Sequence, residues 1–440
     1  RARHIVHGLR TRGERQDVNA TIGKWKAYDC RSKRTGRSKG AKRRREHVTV
    51  VGGGLVGVQT AYYLADQVMG RNTTSPRVSL VFTERAPLAR YLPRYLANVV
   101  ASRMERAGIL LNSYSVVQYI APLARVSRSQ TTGAVVDEGA VDQPEVFFCR
   151  TFDTNLTGSF GSNLVLFAPT HLPVSSSYLD KSSHGLCERD LVHGGIVANS
   201  ELSAASGVYV AGDAVSFPSK LGRRRVQWSV DHAAHTGYVC GKNMARHGET
   251  PPVRYDREPA TQVDIGGTKI ALIGVCSSTL ETGAFWNTLS SEDRKKSAAL
   301  HGEEVGGGIF GSLANGFLVY VRGDEIVGIL LWDKGVPGTA EDGSKAAFQA
   351  SVDRAKEYLA MKSTDRTIRF SPPPNSRSLE CLQFISVVGQ YVLGGPDKIA
   401  QANRRWEPSR EIKYGLKERK LRDDGNKDEL MYYAQLHQRK

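Results

Sequence analysis

The sequence predicts an α/β protein, with a parallel, helix-covered sheet in its first half and an antiparallel α+β region in its second. Three observations carry this. Residues 47–70, HVTVVGGGLVGVQTAYYLADQVMG, read as a short buried strand, a glycine turn and an amphipathic helix. Strand and helix patterns then alternate, which calls for a sheet with helices on its faces. GFLVYVRGDEIVGILLWD (316–333) is two apolar runs joined at Arg322-Gly323-Asp324-Glu325, a β-hairpin whose Gly323 can take positive φ.

Taken in order, Val48, Val50 and Val51 supply the first strand, and Ala61, Leu64, Ala65 and Val68 recur at helical spacing. RVSLVFTER (77–85) is the second strand, running to Glu84. Residues 90–120 give a helix, a stop at Gly108 and another strand. Residues 121–163 are polar and turn-rich, with two strand candidates, GAVV and EVFFCR, that fit an antiparallel flap. NLVLFAP (163–169) and GVYVAGDAV (207–215) are compact buried strands, and a helix from about Asp231 to Met244 is broken by the prolines at 251–252. TKIALIGV (268–275), the hairpin, a helix SKAAFQASVDRAKEYLAMK, an SPPP break and a charged tail complete the chain.

Charge is concentrated at the ends. Residues 1–46 hold 16 Lys and Arg against 4 Asp and Glu, and residues 401–440 hold 11 against 7, which leaves the body close to neutral although the net charge is +17. The 40 % hydrophobic content suffices for a real core, so the expectation is an enzyme-like body with basic arms. RSKRTGRSKGAKRRRE (31–46) cannot bury enough surface to order itself. A polyanion such as RNA is its natural partner, through Arg31, Lys33, Arg34, Arg37, Lys39, Lys42, Arg43, Arg44 and Arg45, and a merely solvated arm is the alternative. The six cysteines form no CxxC pair, which argues against zinc and a redox disulfide. No apolar run approaches the roughly 18 residues of a membrane helix.

Gly52, Gly54 and Gly57 make a GxGxxG directly after a strand and opening a helix. The first glycine permits the turn, the second lets the backbone approach a pyrophosphate, and the third lets helix pack on strand. Glu84, 27 residues after Gly57, ends the next strand, where a carboxylate takes the ribose hydroxyls of NAD and disfavours the 2′-phosphate of NADP. The glycines would also serve packing alone. Asp213 after Gly212 is a candidate FAD contact or, equally, a cap on its turn. Arg223 to Arg225 form a basic turn. His232 and His235 lie three apart on one helix with no acid or thiol spaced to complete a metal site.

In their order these motifs resemble the apoptosis-inducing factor family of pyridine-nucleotide flavoprotein oxidoreductases. The likeness runs through VVGGGLVGVQTAYYLA, YLPRYLANVVASRMERAGILL, GVYVAGDAVSFPSKLGRRRV, DHAAHTGYVCGKNM and GFLVYVRGDEIVGILLW, about residues 47–335. It implies NAD at the Gly52–Gly57 turn, FAD near Asp213, and a mitochondrial location, the matrix foremost, which the five arginines among the first 15 residues suit. The chain departs from the family at several points. The family's first FAD-binding segment belongs ahead of residue 47, where the basic arm stands. Gln227-Trp228-Ser229-Val230 replaces a stretch with paired histidines near the ring, Thr261-Gln262 replaces Phe-Trp, Gln59 replaces a glutamate, and Pro169 enters where the family has Val-Gly.

The expected organisation is a basic extension (1–46), an NAD-type Rossmann domain (47–160), a remnant FAD-domain half (161–250), a C-terminal α+β domain (251–335) and a helical, charged extension (336–440). The expected function is that of a catalytically degenerate homologue serving as a structural subunit of a large mitochondrial assembly, the mitochondrial ribosome or another RNA–protein particle. The alternatives are an active NADH-dependent FAD oxidoreductase and an accessory subunit of a respiratory complex.

Overall fold

The computed structural model describes residues 6–8, 47–69, 77–128, 135–150, 156–168, 187–192, 194–219, 221, 224–225, 227, 229–245, 251–288, 313–334, 341–361, 386–394 and 403–407. The chain divides into two compact units, residues 1–170 with 431–440, and residues 171–430.

Unit 1 is built on five parallel strands in the order β1-β8-β2-β3-β4. They are β1 (Val6–Gly8), β2 (Val48–Val51), β3 (Val78–Val81), β4 (Ile109–Asn112) and β8 (Leu164–Phe167). Parallel strands are stable only with both faces covered, and Val48, Val50, Val78, Leu80, Leu164, Val165 and Leu166 are all buried. Helix α1 (Leu55–Tyr63), continued by a π-helical segment Leu64–Met69, buries Val58 and Ala61. Helix α2 (Arg94–Arg106) buries Tyr95, Leu96, Ala97, Val100 and Met104, and Gly108 follows it at φ 81°, the left-handed stop expected there. The flap is larger than its two short candidates: β5 (Ser115–Arg128), β6 (Val135–Arg150) and β7 (Leu156–Gly161) form an antiparallel meander.

Two features redraw the expected divisions. Val6–Gly8 joins the parallel sheet beside β8, so residues 1–46 are not wholly a charged arm. Leu164–Phe167 pairs with β2, Val50 opposite Leu166, so this strand belongs to the first unit and not to a separate flavin-side half.

Unit 2 contains two cores. The first gathers β9 (Ile196–Val197), β12 (Val215–Pro218) and helix α3 (Val230–Ala245) around Val215, Phe217, Val239, Cys240 and Tyr255. Here GVYVAGDAV is not one strand: β11 (Val208–Tyr209), antiparallel to β10 (Ser203–Ala205), stops, a 3-10 turn Gly212–Ala214 intervenes, and β12 resumes. The second core is a six-stranded antiparallel sheet, β14-β15-β18-β17-β16-β19, comprising β14 (Ala260–Ile265), β15 (Thr268–Gly274), β16 (Glu281–Thr288), β17 (Leu313–Arg322), β18 (Glu325–Asp333) and β19 (Asn403–Glu407). The β17–β18 hairpin turns at Gly323, φ 62°, with Arg322 opposite Glu325. Helix α4 (Glu341–Ala360) packs Val352, Ala355, Tyr358 and Leu359 into this core, and β19 pairs with β16. The α+β region therefore continues well past residue 335. Among the described residues, no helix is long and apolar enough to cross a membrane.

Candidate functional site

In unit 1 the chain leaves β2 through the glycine turn and α1 to reach β3 on one side, while β8 flanks β2 on the other. That reversal of direction opens a crevice at the carboxyl ends of the strands, the place where doubly wound sheets receive ligands. Each glycine of the turn has its own physical reason. Gly52 sits at φ 125°, which an L side chain rarely adopts. A Cβ on Gly57 would stand 1.9 Å from the Gly52 carbonyl oxygen, so α1 can approach β2 only without one. Gly54, which caps α1 with no side-chain hydrogen bond, has among the described residues no heavy atom beyond its own chain neighbours and helix within 4 Å of where its Cβ would be. The space in front of a helix N-terminus, with its unpaired N–H groups, is thus open at Gly54, as a pyrophosphate requires.

Glu84 lies three residues past β3, and Val81 is paired with Val51, so Glu84 and the glycine turn emerge at the same edge of adjacent strands. The segment between them is tied down: the Leu88 N–H donates to the Gly53 carbonyl at 2.9 Å, and the Leu88 and Leu92 side chains are buried. The Glu84 carboxylate accepts from Thr83 Oγ1 (3.0 Å to Oε2) and lies 3.5 Å from Arg90 Nε through Oε1. Pro169, read as removing a backbone donor here, lies outside the described residues.

In unit 2, Gly212 takes φ 68° and its N–H donates to Thr236 Oγ1 at 2.8 Å, which docks the Gly-Asp turn on α3. Asp213 is exposed in that turn. The family departures at 227 and 261 meet: Gln227 Nε2 donates to Thr261 Oγ1 at 3.0 Å. Trp228 and Arg223 lie outside the described residues, as do the side chains of Arg224 and Arg225, whose backbones form the short strand β13 (Arg224–Arg225) against β12. Also outside are Arg31, Lys33, Arg34, Arg37, Lys39, Lys42, Arg43, Arg44 and Arg45.

The two helix α3 histidines have separate surroundings. His232 is fully buried, stacked on Phe217 at 4.9 Å, with Nδ1 2.8 Å from the Tyr255 hydroxyl. His235 Nε2 is 2.7 Å from Arg257 Nη1; because a guanidinium only donates, the ring accepts and is neutral. Burial first, and then the Arg257 charge, hold its pKa below the ordinary histidine value.

Sequence reading missed the cluster beside them. Asp231, in the first turn of α3, accepts from Lys356 Nζ at 2.9 Å and from the Ala260 N–H at 3.0 Å, with Arg257 at 3.8 Å. Burial alone would raise its pKa, but the Ala260 hydrogen bond, Lys356 and Arg257 outweigh it and hold the carboxyl below its usual range. The signal was present: Lys356 falls in the buried stripe 352, 355, 356, 359 of α4, where a lysine requires a partner.

Comparison with known proteins agrees with this geometry. Residues 15–147 match the family described as pyridine nucleotide-disulphide oxidoreductase. This likeness covers less than a third of the chain. The match begins at residue 15, inside the basic N-terminal stretch and after the sheet strand Val6–Gly8. Apoptosis-inducing factor 1, mitochondrial, of Dictyostelium discoideum is 26 % identical over 257 residues, 57 % of this chain and 42 % of that protein. The putative apoptosis-inducing factor 1, mitochondrial, of Drosophila melanogaster is 28 % identical over 317 residues, 65 % of this chain and 38 % of its own length. The chain thus spans less than half of these relatives. Among solved structures, the water-forming NADH oxidase of Lactobacillus brevis bound to NADH superposes with a TM-score of 0.52 at 12 % identity, covering 84 % of this chain and 66 % of that one. A FAD-dependent pyridine nucleotide-disulphide oxidoreductase of Desulfovibrio vulgaris gives 0.50 at 15 %, covering 90 % and 77 %. These structural likenesses establish the fold alone.

Proposed function

We propose that the chain is a mitochondrial oxidoreductase homologue that binds a nicotinamide adenine dinucleotide in unit 1, has receded from flavin chemistry, and serves as a folded subunit of a large RNA–protein assembly, the mitochondrial ribosome foremost. The observation that carries the nucleotide part is the open approach at Gly54, set against the closed contact at Gly57. A glycine kept only for packing would sit against a neighbour, and among the described residues Gly54 does not. The residues fit the group: the start of α1 would face the pyrophosphate, and the Glu84 segment would lie at the ribose end. The dinucleotide, when bound, supplies a hydride; the protein's own part is to bind and orient it.

The flavin part of the reading rests on Gln227 and Thr261, which satisfy one another at 3.0 Å where the family resemblance implies aromatic and histidine side chains beside a ring. The RNA part rests on the excess of Lys and Arg in residues 1–46 and 401–440 flanking a near-neutral body. The mitochondrial location rests on the two named relatives.

Calorimetric titration of the purified chain with NADH tests the nucleotide part. Binding that is abolished in Gly54→Glu supports it, and affinity unchanged by that substitution removes the glycine turn from the account. An active NADH-dependent FAD oxidoreductase is the second reading, favoured by the Gly212–Asp213 turn docked on Thr236. Stoichiometric flavin absorbance in the purified protein would establish it against the first. Recovery of RNA with the chain at low salt, and its loss as salt rises, tests the assembly.

A further inference from the structure

We propose that the turn Asp190–Gly195 of unit 2 is a bilayer-docking tip, and that Leu191 and Val192 enter the headgroup region of an anionic membrane surface. The inference is independent of the dinucleotide reading above.

The turn is closed by polar contacts of its own. The Asp190 N–H donates to the Gly195 carbonyl and the Gly194 N–H to the Asp190 carbonyl, both at 2.7 Å, and Arg189 bridges to Ile196 in antiparallel fashion. Gly194 takes φ 81°, a left-handed conformation that suits a residue without Cβ. The Asp190 side chain, 9 % exposed, accepts from the Val192 N–H at 2.9 Å through Oδ1 and from Ser216 Oγ at 2.6 Å through Oδ2, which ties the turn to β12. These contacts leave Leu191 95 % and Val192 84 % exposed. Two adjacent apolar side chains are thus held out in water by hydrogen bonds that do nothing to bury them. His193, the next residue of the turn, lies outside the described residues.

Extent and charge favour a bilayer over a protein pocket. A specific protein interface engages about 800 Å² on each partner. Here the apolar surface is two side chains, bounded on the N-terminal side by the exposed charges of Glu188 and Arg189. A bilayer requires no matching shape, only apolar groups that can pass the headgroups and a second attraction to hold them, since a small apolar anchor alone binds marginally. Glu188 and Arg189 cancel one another. The second attraction is the net charge of +17 that the chain carries, which draws it to an anionic lipid surface. Because hydrogen bonds already order the turn, little conformational entropy is lost when its tip is immobilised.

Sedimentation of the full chain with vesicles of phosphatidylcholine mixed with cardiolipin, and with vesicles of phosphatidylcholine alone, tests the tip beside a Leu191→Ser/Val192→Ser variant. Binding to the anionic vesicles at low salt is expected, with the double substitution weakening it about tenfold or more and leaving the urea midpoint unchanged. A Leu191→Trp variant reads entry of the tip itself: bromine-labelled acyl chains should quench it beyond the quenching seen in the unsubstituted chain. A serine variant that binds the anionic vesicles as the unsubstituted chain does would leave charge alone as the cause and overturns the assignment. Failure of the unsubstituted chain to bind them, or a Leu191→Trp variant without added quenching, overturns it equally.

Discussion

Gly54 and Gly57 lie three residues apart in one turn and should fail in opposite ways when each is replaced by alanine. At Gly57 the new methyl would meet the Gly52 carbonyl oxygen at 1.9 Å and the Ala168 Cβ at 3.6 Å. The first contact is with backbone inside a turn that Gly52 already holds at φ 125°, so α1 must move off β2 to admit it. Overpacking of this kind costs about 3 kcal/mol when the neighbour cannot swing away. At Gly54 the new methyl would meet no described heavy atom beyond its own chain neighbours and helix within 4 Å, and φ is −78°, which alanine adopts freely. The weaker helix cap of alanine is offset by the entropy that the substitution removes from the unfolded chain, so the net change is within about 0.5 kcal/mol. The methyl instead occupies the surface that the pyrophosphate must approach, and dinucleotide affinity should fall at least tenfold, about 1.4 kcal/mol. Thermal and urea unfolding followed by circular dichroism, paired with calorimetric titration, read the two effects separately. Gly54→Ala that destabilises as much as Gly57→Ala, or that binds as the unsubstituted chain does, would refute the division of labour between the two glycines.

Lys356→Met should cost about 2–3 kcal/mol in urea unfolding, below the full figure for a broken buried pair because Asp231 is still 27 % exposed; adding Asp231→Asn should restore most of it, and additive losses would count against the coupling. Stability should also fall on acidification in two stages. The folded state favours neutral His235, so the unfolded chain takes up that proton first and stability drops below about pH 6.5. Asp231, held below its usual pKa, contributes fully above about pH 3.9 and is lost as pH falls through its folded value. His235→Gln should flatten the upper stage only, as measured by unfolding midpoints across the range. Replacing the nine Lys and Arg from Arg31 to Arg45 by Gln, while keeping Val6–Gly8 in the sheet, should reduce the salt dependence of RNA association; an unchanged slope would point to a protein interface instead.

How far the sequence disclosed this structure depended on the range of the interactions involved. The glycine turn was legible because its reasons are local: a strand, three glycines at fixed spacing and a helical stripe lie within about two dozen residues. The β17–β18 hairpin was legible for the same reason. Strand membership in the parallel sheet was not, because the apolar run Leu164–Phe167 carries no mark of its partner, and β2 lies more than a hundred residues earlier. Val6–Gly8 and Asn403–Glu407 escaped for a different reason. Both are edge strands, where one side of the ladder is open and charged or polar residues are tolerated, so the apolar alternation that announces a strand is missing.

Gln227 and Thr261 show the same limit at the site. Each is visible in the sequence as a departure from the family, and taken separately each reads as the loss of a group beside a flavin ring. Their separation of 34 residues hides that one is the other's hydrogen-bond partner. A lone amide in a half-buried position would bear a desolvation cost, whereas two polar groups that meet largely cancel it. The pair is therefore a contact between the segment leading into α3 and β14. Reversal of either residue alone to the family's type should break this contact without conferring flavin affinity, and only the double reversal tests whether the rest of the pocket can take a ring. Flavin bound by a single-reversal variant would mean that the contact does not govern flavin affinity.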